Sequence, residues 1–446
     1  MILKPTYKNI LLISLPIMLG SAAQNVIALT DSILLYQVSE TDFAAIGISG
    51  VFYLTIAAIG YGFSKGGQII IARRMGEKNF EGVRRTFYDM LVFELILSLV
   101  LFMLIKFGSR FLFGYFVESP VVLEKCISYL DTRSYGIVFS YLGVALISTY
   151  TGIAKPWFVM VDTIFLAIVN YLLCLGLIFG KWGFPALGIS GAGLASTLAE
   201  ILAFLLFLIF MYFDKNRKEL KLFKVIKPDW PETYNLIQLS LPIVAQSVIG
   251  LGAWFVFFGL IDNLGERALS ITNLVRMVYL CLSIPCWGFS AGINTLVSNL
   301  MGQKKYDLII PTIYRSILLC LGITAGLALP VMLYPEAVLS TVLGSLQHQE
   351  IIAHAVPTIR LLGVILVVFT SGGIFFNGLA GTGATKNGLY LQLFSAAAYL
   401  AIVYFIITYV KGSVELAWSS EIYYWVIMLL FTMKYMYSKK WIHLKV

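Results

Sequence analysis

The sequence predicts an all-α membrane protein: twelve transmembrane helices in two pseudo-symmetric six-helix lobes with a central cleft. Three observations carry that prediction. Of the 446 residues, 59% are hydrophobic and only 12% are charged, too little polar surface for a soluble chain of this length. The apolar residues come in about twelve long runs, each enough for the ~20 helical residues that cross ~30 Å of hydrocarbon. Strands of a transmembrane barrel would instead alternate apolar and polar positions. Finally, one constant, ungapped offset lays the first half of the chain on the second. It places Ser14-Leu15-Pro16-Ile17 on Ser240-Leu241-Pro242-Ile243, Gly62-Phe63-Ser64 on Gly288-Phe289-Ser290, Gly66 on Gly292 and Met75-Gly76 on Met301-Gly302. A repeat of six spans, an even number, makes equivalent helices point the same way. The halves are therefore expected to be related by an axis along the membrane normal.

In order, the runs lie at 8–35, 43–72, 87–114, 123–154, 156–180 and 188–213, then 234–263, 268–299, 312–335, 350–381, 387–411 and 415–437. Those longer than 25 residues imply tilt or continuation into water. Pro16 in the first run and Pro242 in the seventh lack an amide hydrogen, so a bend or hinge is expected at each. Asp214 to Glu232 is the one long polar stretch. It divides the chain into an N-lobe at 1–213, a cytoplasmic linker at 214–233 and a C-lobe at 234–446. Lysine and arginine gather in alternate connections, among them Arg73-Arg74, Arg84-Arg85, Lys215 to Lys227, Lys304-Lys305, Lys386 and Lys439-Lys440. Roughly 22 of the 32 basic residues fall on that side, which predicts a multi-pass protein of the cytoplasmic (inner) membrane with both termini cytoplasmic. The net charge of +9 is read as this loop bias, and no nucleic-acid partner is expected. Five cysteines, at 126, 174, 281, 286 and 320, show neither zinc spacing nor a disulfide framework and read as packing residues.

Charges inside the runs are the candidates for function. A carboxylate such as Asp31 is costly inside a spanning helix unless it faces water, a partner or a bound cation. It is the candidate ion-coupling group, and desolvation of a carboxylate makes proton uptake near neutral pH feasible. Lys65 in the second run lies at about the depth of Glu94 in the third, so either a structural pair, with Glu200 as the other possible partner, or snorkelling to the cytoplasm is expected, with anionic-substrate binding as the further alternative. Arg276 and Arg360, in the eighth and tenth runs, have no obvious carboxylate in their own lobe. Either they stack on aromatics or bind carbonyls, or they mark a cavity for a carboxylate- or phosphate-bearing substrate. The chain carries no phosphate-binding loop, metal cluster or Ser-His-Asp arrangement, so neither ATP-driven transport nor catalysis is expected.

Together these residues resemble the multidrug and toxic compound extrusion (MATE) family. The resemblance rests on Leu15-Pro16 followed by Gln24 and Asp31, on Phe43-Ala44-Ala45-Ile46-Gly47, and on Gly62-Phe63-Ser64 running to Arg73-Arg74-Met75-Gly76-Glu77. It continues through Asn170, Phe179-Gly180-Lys181-Trp182-Gly183-Phe184-Pro185-Ala186-Leu187-Gly188 and Gly191-Ala192-Gly193-Leu194-Ala195-Ser196, and ends in Gly381-Thr382-Gly383-Ala384-Thr385-Lys386.

The resemblance implies a secondary active antiporter that exports amphipathic, cationic drugs or metabolites in exchange for H+ or Na+ by alternating access, with no other cofactor. Asp31 matches the family's first-helix aspartate, Gln24 a position lining the same cavity, and Asn170 a polar residue of the N-lobe cation site. The expected cation-coupling set is Asp31, Asn170, Cys174 and Ser196, with Na+ possible at Asp31 and Asn170. The expected substrate-cleft set is Gln24, Asp31, Arg276 and Arg360. Cys174 departs from the branch of the family with a second aspartate there. A neutral thiol is a poor ligand for a hard cation. The seventh and tenth runs lack a carboxylate in their middles, so coupling falls on the N-lobe. The expected partners are a small amphipathic molecule, a coupling cation and the bilayer, with the protein as a monomer. The alternative is a lipid-linked saccharide flippase of the same superfamily, for which Lys65, Arg276 and Arg360 are the best support.

Overall fold

Inside hydrocarbon a backbone has no water to bond, so each apolar run satisfies its own amides by folding as a helix. A computed structural model describes residues 3–115, 117–214, 217–343, 349–410 and 412–444. The first half forms α1 (Tyr7–Tyr36), α2 (Glu40–Gly76), α3 (Phe80–Phe113), α4 (Pro120–Ser134), α5 (Ile137–Gly152), α6 (Pro156–Phe179) and α7 (Ile189–Phe213). The short α8 (Arg217–Leu220) precedes α9 (Trp230–Asp262), α10 (Glu266–Gly302), α11 (Ile309–Leu333), α12 (Pro335–Leu343), α13 (Gln349–Gly381), α14 (Thr385–Phe405) and α15 (Val414–Tyr437). Among the described residues, ten helices are individually long and apolar enough to cross a bilayer. With α1, and with α4 and α5 counted as one interrupted pass, the chain makes the twelve passes that its apolar runs predict.

Local chemistry places the helix ends. Ser39 caps α2 by accepting from the amide of Asp42 at 3.0 Å, and Asn79 caps α3 by accepting from Gly82 at 2.8 Å. Lys78 and Lys304, equivalent under the sequence offset, both adopt a left-handed φ of 59° just past α2 and α10. The repeat thus extends to the conformation of a turn, not only to residue types.

The chain forms two compact units. The first holds Leu19–Val244; the second holds Ile2–Met18 together with Ala245–Val446. The divisions fall two residues beyond Pro16 and Pro242, at positions equivalent under the offset. The 214–233 stretch accordingly lies within the first unit. There it contains α8 and the first turn of α9, and it is tied to α3: Tyr88 donates to the carbonyl of Leu222 at 2.7 Å, and the amide of Asp229 donates to Asp89 Oδ1 at 3.0 Å.

In the first unit the start of α9 lies against α2. Ser240 Oγ donates to the carbonyl of Phe63 at 2.9 Å, so close that a Cβ on Gly66 would overlap the Ser240 hydroxyl. In the second unit the start of α1 lies against α10 in the equivalent manner, with Ser14 where a Cβ on Gly292 would sit. The extended residues before α1 are anchored there too: the amide of Leu3 donates to Asn299 Oδ1 at 3.1 Å, and Arg315 donates to the carbonyl of Pro5 at 2.6 Å. The core of the first unit runs through Leu35, Ala45, Cys126, Leu130, Cys174 and Ala195. That of the second is aromatic, with Trp254, Phe257, Tyr279 and Trp418 in mutual edge and stacked contacts.

Candidate functional site

The first unit carries an open cavity of about 460 Å³ whose lining includes Gln24, Asp31, Asn170 and Ser196, a size in the range of small-molecule sites. Asn170 and Cys174 are one helical turn apart on α6 and so share a face. Ser196 arrives from α7, which can approach because residue 191 is glycine: a Cβ there would overlap the carbonyl of Leu177 on α6. Into this corner α1 brings Asp31. Its Oδ1 accepts from Cys174 Sγ at 3.4 Å, and its Oδ2 accepts from Ser196 Oγ at 3.5 Å. Asn170 Nδ2 donates to Ser196 Oγ at 3.0 Å, which links all four members of the coupling set in one network. Both partners of Asp31 in that network are neutral, so its charge is solvated rather than cancelled there. Gln24, on the same helix, donates to Tyr61 Oη at 2.6 Å on the cavity wall.

Arg133, Glu200 and Asp162 also line the cavity. Arg133 of α4 and Glu200 of α7 meet in a two-point pair, Nη1 to Oε2 at 2.7 Å and Nη2 to Oε1 at 2.5 Å. The guanidinium also lies over the Tyr53 ring, 4.0 Å from its centroid. This pair packs against the interruption between α4 and α5. A Cβ on Gly136 would stand 2.7 Å from Arg133 Nη1 and 2.8 Å from Glu200 Oε2, so a residue with no side chain leaves room there for both head groups. The third group is Asp162 of α6, which sequence reasoning passed over. The available signal was a lone acid inside the fifth apolar run.

The remaining candidates separate. Glu94 is fully buried, but its carboxylate accepts from Ser64 Oγ at 2.5 Å, while its other oxygen has no hydrogen-bond partner. The expected Lys65–Glu94 pair is therefore not what holds Glu94, and the alternative partner of Lys65, Glu200, is taken by Arg133. Equal depth in two helices does not by itself fix which faces meet. Pro16 and Pro242 sit inside α1 and α9, both of which continue through them. Arg276 and Arg360 belong to the second unit, on α10 and α13, whereas Gln24 and Asp31 line the cavity of the first. Arg276 stacks on Phe258, 5.3 Å from the ring centroid, and Arg360 is exposed. The second unit also holds a carboxylate that the search of the seventh and tenth runs missed. Glu421, on α15 and 3% exposed, accepts from Trp425 Nε1 at 3.1 Å.

The family model described as MatE matches residues 16–175 and 242–409. A probable multidrug resistance protein NorM of Pasteurella multocida is 26% identical over 403 residues, covering 87% of this chain and 83% of that protein. A probable NorM of Agrobacterium fabrum is 24% identical over 327 residues, covering 72% and 69%. Two solved structures share the fold at 18% identity. One is a MATE protein in complex with MaL6, with a TM-score of 0.89 and 98% of each chain covered. The other is a MOP superfamily transporter from Pyrococcus furiosus, described as having a binding pocket of reverse polarity, with a TM-score of 0.88 and 98% and 97% covered. Matched across both of its halves, the chain belongs to the MATE family of transporters.

Proposed function

We propose that the protein is a secondary active antiporter that exports amphipathic, cationic compounds in exchange for H+ or Na+, with Asp31 as the coupling carboxylate. The observation that supports this most directly is the placement of Asp31. It is a carboxylate on the wall of a roomy cavity, bonded only to the neutral Cys174 and Ser196 in its network, so its charge is available to an incoming cation. Asn170 Oδ1, Ser196 Oγ and the Asp31 oxygens are hard donors that suit Na+, while the thiol of Cys174 does not. A proton needs only the carboxylate itself. Cargo and coupling ion compete for Asp31, and that competition is the exchange. Pro16 and Pro242 are assigned as the flexible points of α1 and α9. We further read the protein as a monomer of the inner membrane with both termini cytoplasmic, from the charge bias of its connections. The flippase alternative loses support from Arg276, whose guanidinium rests on Phe258.

Ethidium efflux from proteoliposomes tests the assignment, under an imposed proton gradient and, separately, an imposed sodium gradient. One of the two should drive efflux, and Asp31→Asn should abolish the driven component while the protein still assembles in the membrane. Normal gradient-driven efflux by that variant removes Asp31 from the mechanism.

A further inference from the structure

The proposed exchange uses one acid of the cavity and leaves another unexplained. Asp162 lines the same cavity, is 6% exposed, and its Oδ1 has no hydrogen-bond partner. An ionised carboxylate at that depth is costly unless an opposite charge comes to it. Among the described lining residues the one lysine or arginine is Arg133, and it is committed at two points to Glu200. The cavity therefore presents two carboxylates outside that pair, Asp31 and Asp162.

Their separation can be read from two helices independently. On α1, Gly20 lies beside Thr163 of α6, 3.5 Å from a Cβ on Gly20 to Thr163 Oγ1. Farther along the same two helices Asp31 meets Cys174. The interval is the same on both helices, so α1 and α6 run side by side in register. At 1.5 Å per residue the level of Asp162 lies ~18 Å from the level of Asp31. The rest of the lining includes the apolar and aromatic Leu54, Tyr61, Phe204 and Phe207.

We infer that the cavity is built for bis-cationic amphiphiles, with one cationic group at Asp31, the other at Asp162 and the apolar body between them. Asp162 is thus a specificity-determining residue, while Asp31 is shared with the coupling ion. A bound bis-cation is then anchored at one end while the coupling ion displaces the other. This inference rests on the antiport reading only in taking this cavity as the cargo site.

The test compares two probes on the full-length protein in nanodiscs by calorimetry. Decamethonium carries a trimethylammonium group at each end of a decane chain; decyltrimethylammonium carries one on the same chain. The wild type should bind decamethonium at least about tenfold more tightly, and in Asp162→Asn the two affinities should come within about twofold of each other. Equal affinities in the wild type, or a preference that survives Asp162→Asn, overturn the inference. A second measurement needs no variant: carbodiimide labelling of Asp162 in the wild type, mapped by mass spectrometry, should fall several-fold with decamethonium bound. Labelling that is unchanged overturns the inference equally. Failure of the antiport reading looks different: neither gradient drives efflux, whatever the ratio of affinities.

Discussion

Arg133 and Glu200 show how much depends on pairing inside the cavity wall. Each is an ion that the surrounding helices cannot solvate, and each is tolerable because the other supplies two aligned hydrogen bonds. Removing one partner strands the other, at a cost on the order of 3–5 kcal/mol. Glu200→Gln should therefore lower the thermal unfolding midpoint in detergent well below that of the wild type. The double change Arg133→Met with Glu200→Leu should recover most of the loss, and a double variant no better than the single one would show that the pair is not what holds α4 to α7. Gly136→Ala should act in the same direction but less, because a methyl there enters the space of both head groups. Of this chemistry, Asp31 was legible in the sequence as a lone acid in an apolar run, whereas its association with Asn170, on another helix, was implied only by the family resemblance. The Arg133–Glu200 pair was not. Its members lie in different apolar runs, and only the packing of α4 on α7 brings them together. Asp162 was visible as a letter, but nothing in its neighbours states that it faces a cavity.

At the scale of helices, the close approach of α9 to α2 depends on a hydroxyl occupying the place of a missing side chain. Gly66→Ala should weaken folding and efflux, because Ser240 cannot retreat without losing its bond to the carbonyl of Phe63. Ser240→Gly added to Gly66→Ala should restore expression, measured by yield of monodisperse protein; failure of the double variant to improve on the single one would place the defect elsewhere. Gly292 and Ser14 should respond as the first pair does. Run length and hydropathy were enough to read the passes, because a spanning helix has to be long and apolar whatever its neighbours. They did not reveal the interruption at Tyr135-Gly136, although the polar Asp131-Thr132-Arg133-Ser134 directly precede it. Nor did they reveal α12, a nine-residue helix too short to span.

For the whole molecule, the internal repeat was the most informative line of the sequence, and it carries through to matched turns at Lys78 and Lys304. Membrane orientation is open to direct test. Lys224 is exposed in the polar stretch between α8 and α9. In a cysteine-free background, Lys224→Cys should react with a membrane-impermeant maleimide in inverted vesicles and stay unreacted in intact cells. The opposite pattern would reverse the assigned topology. What the repeat did not disclose is where one unit ends, since the offset maps halves of a sequence and is silent about which half each helix end packs with.

That allotment of helix ends decides how the protein behaves if it is divided. A gene split within the polar stretch gives two polypeptides, and neither is self-sufficient: the fragment with α1 lacks the opening turns of α9 that cover α2, and the fragment with α9 lacks the residues before Leu19 that cover α10. Made alone, each should be degraded. Produced in the same cell, they should find one another, survive solubilisation as a stoichiometric heterodimer and regain efflux.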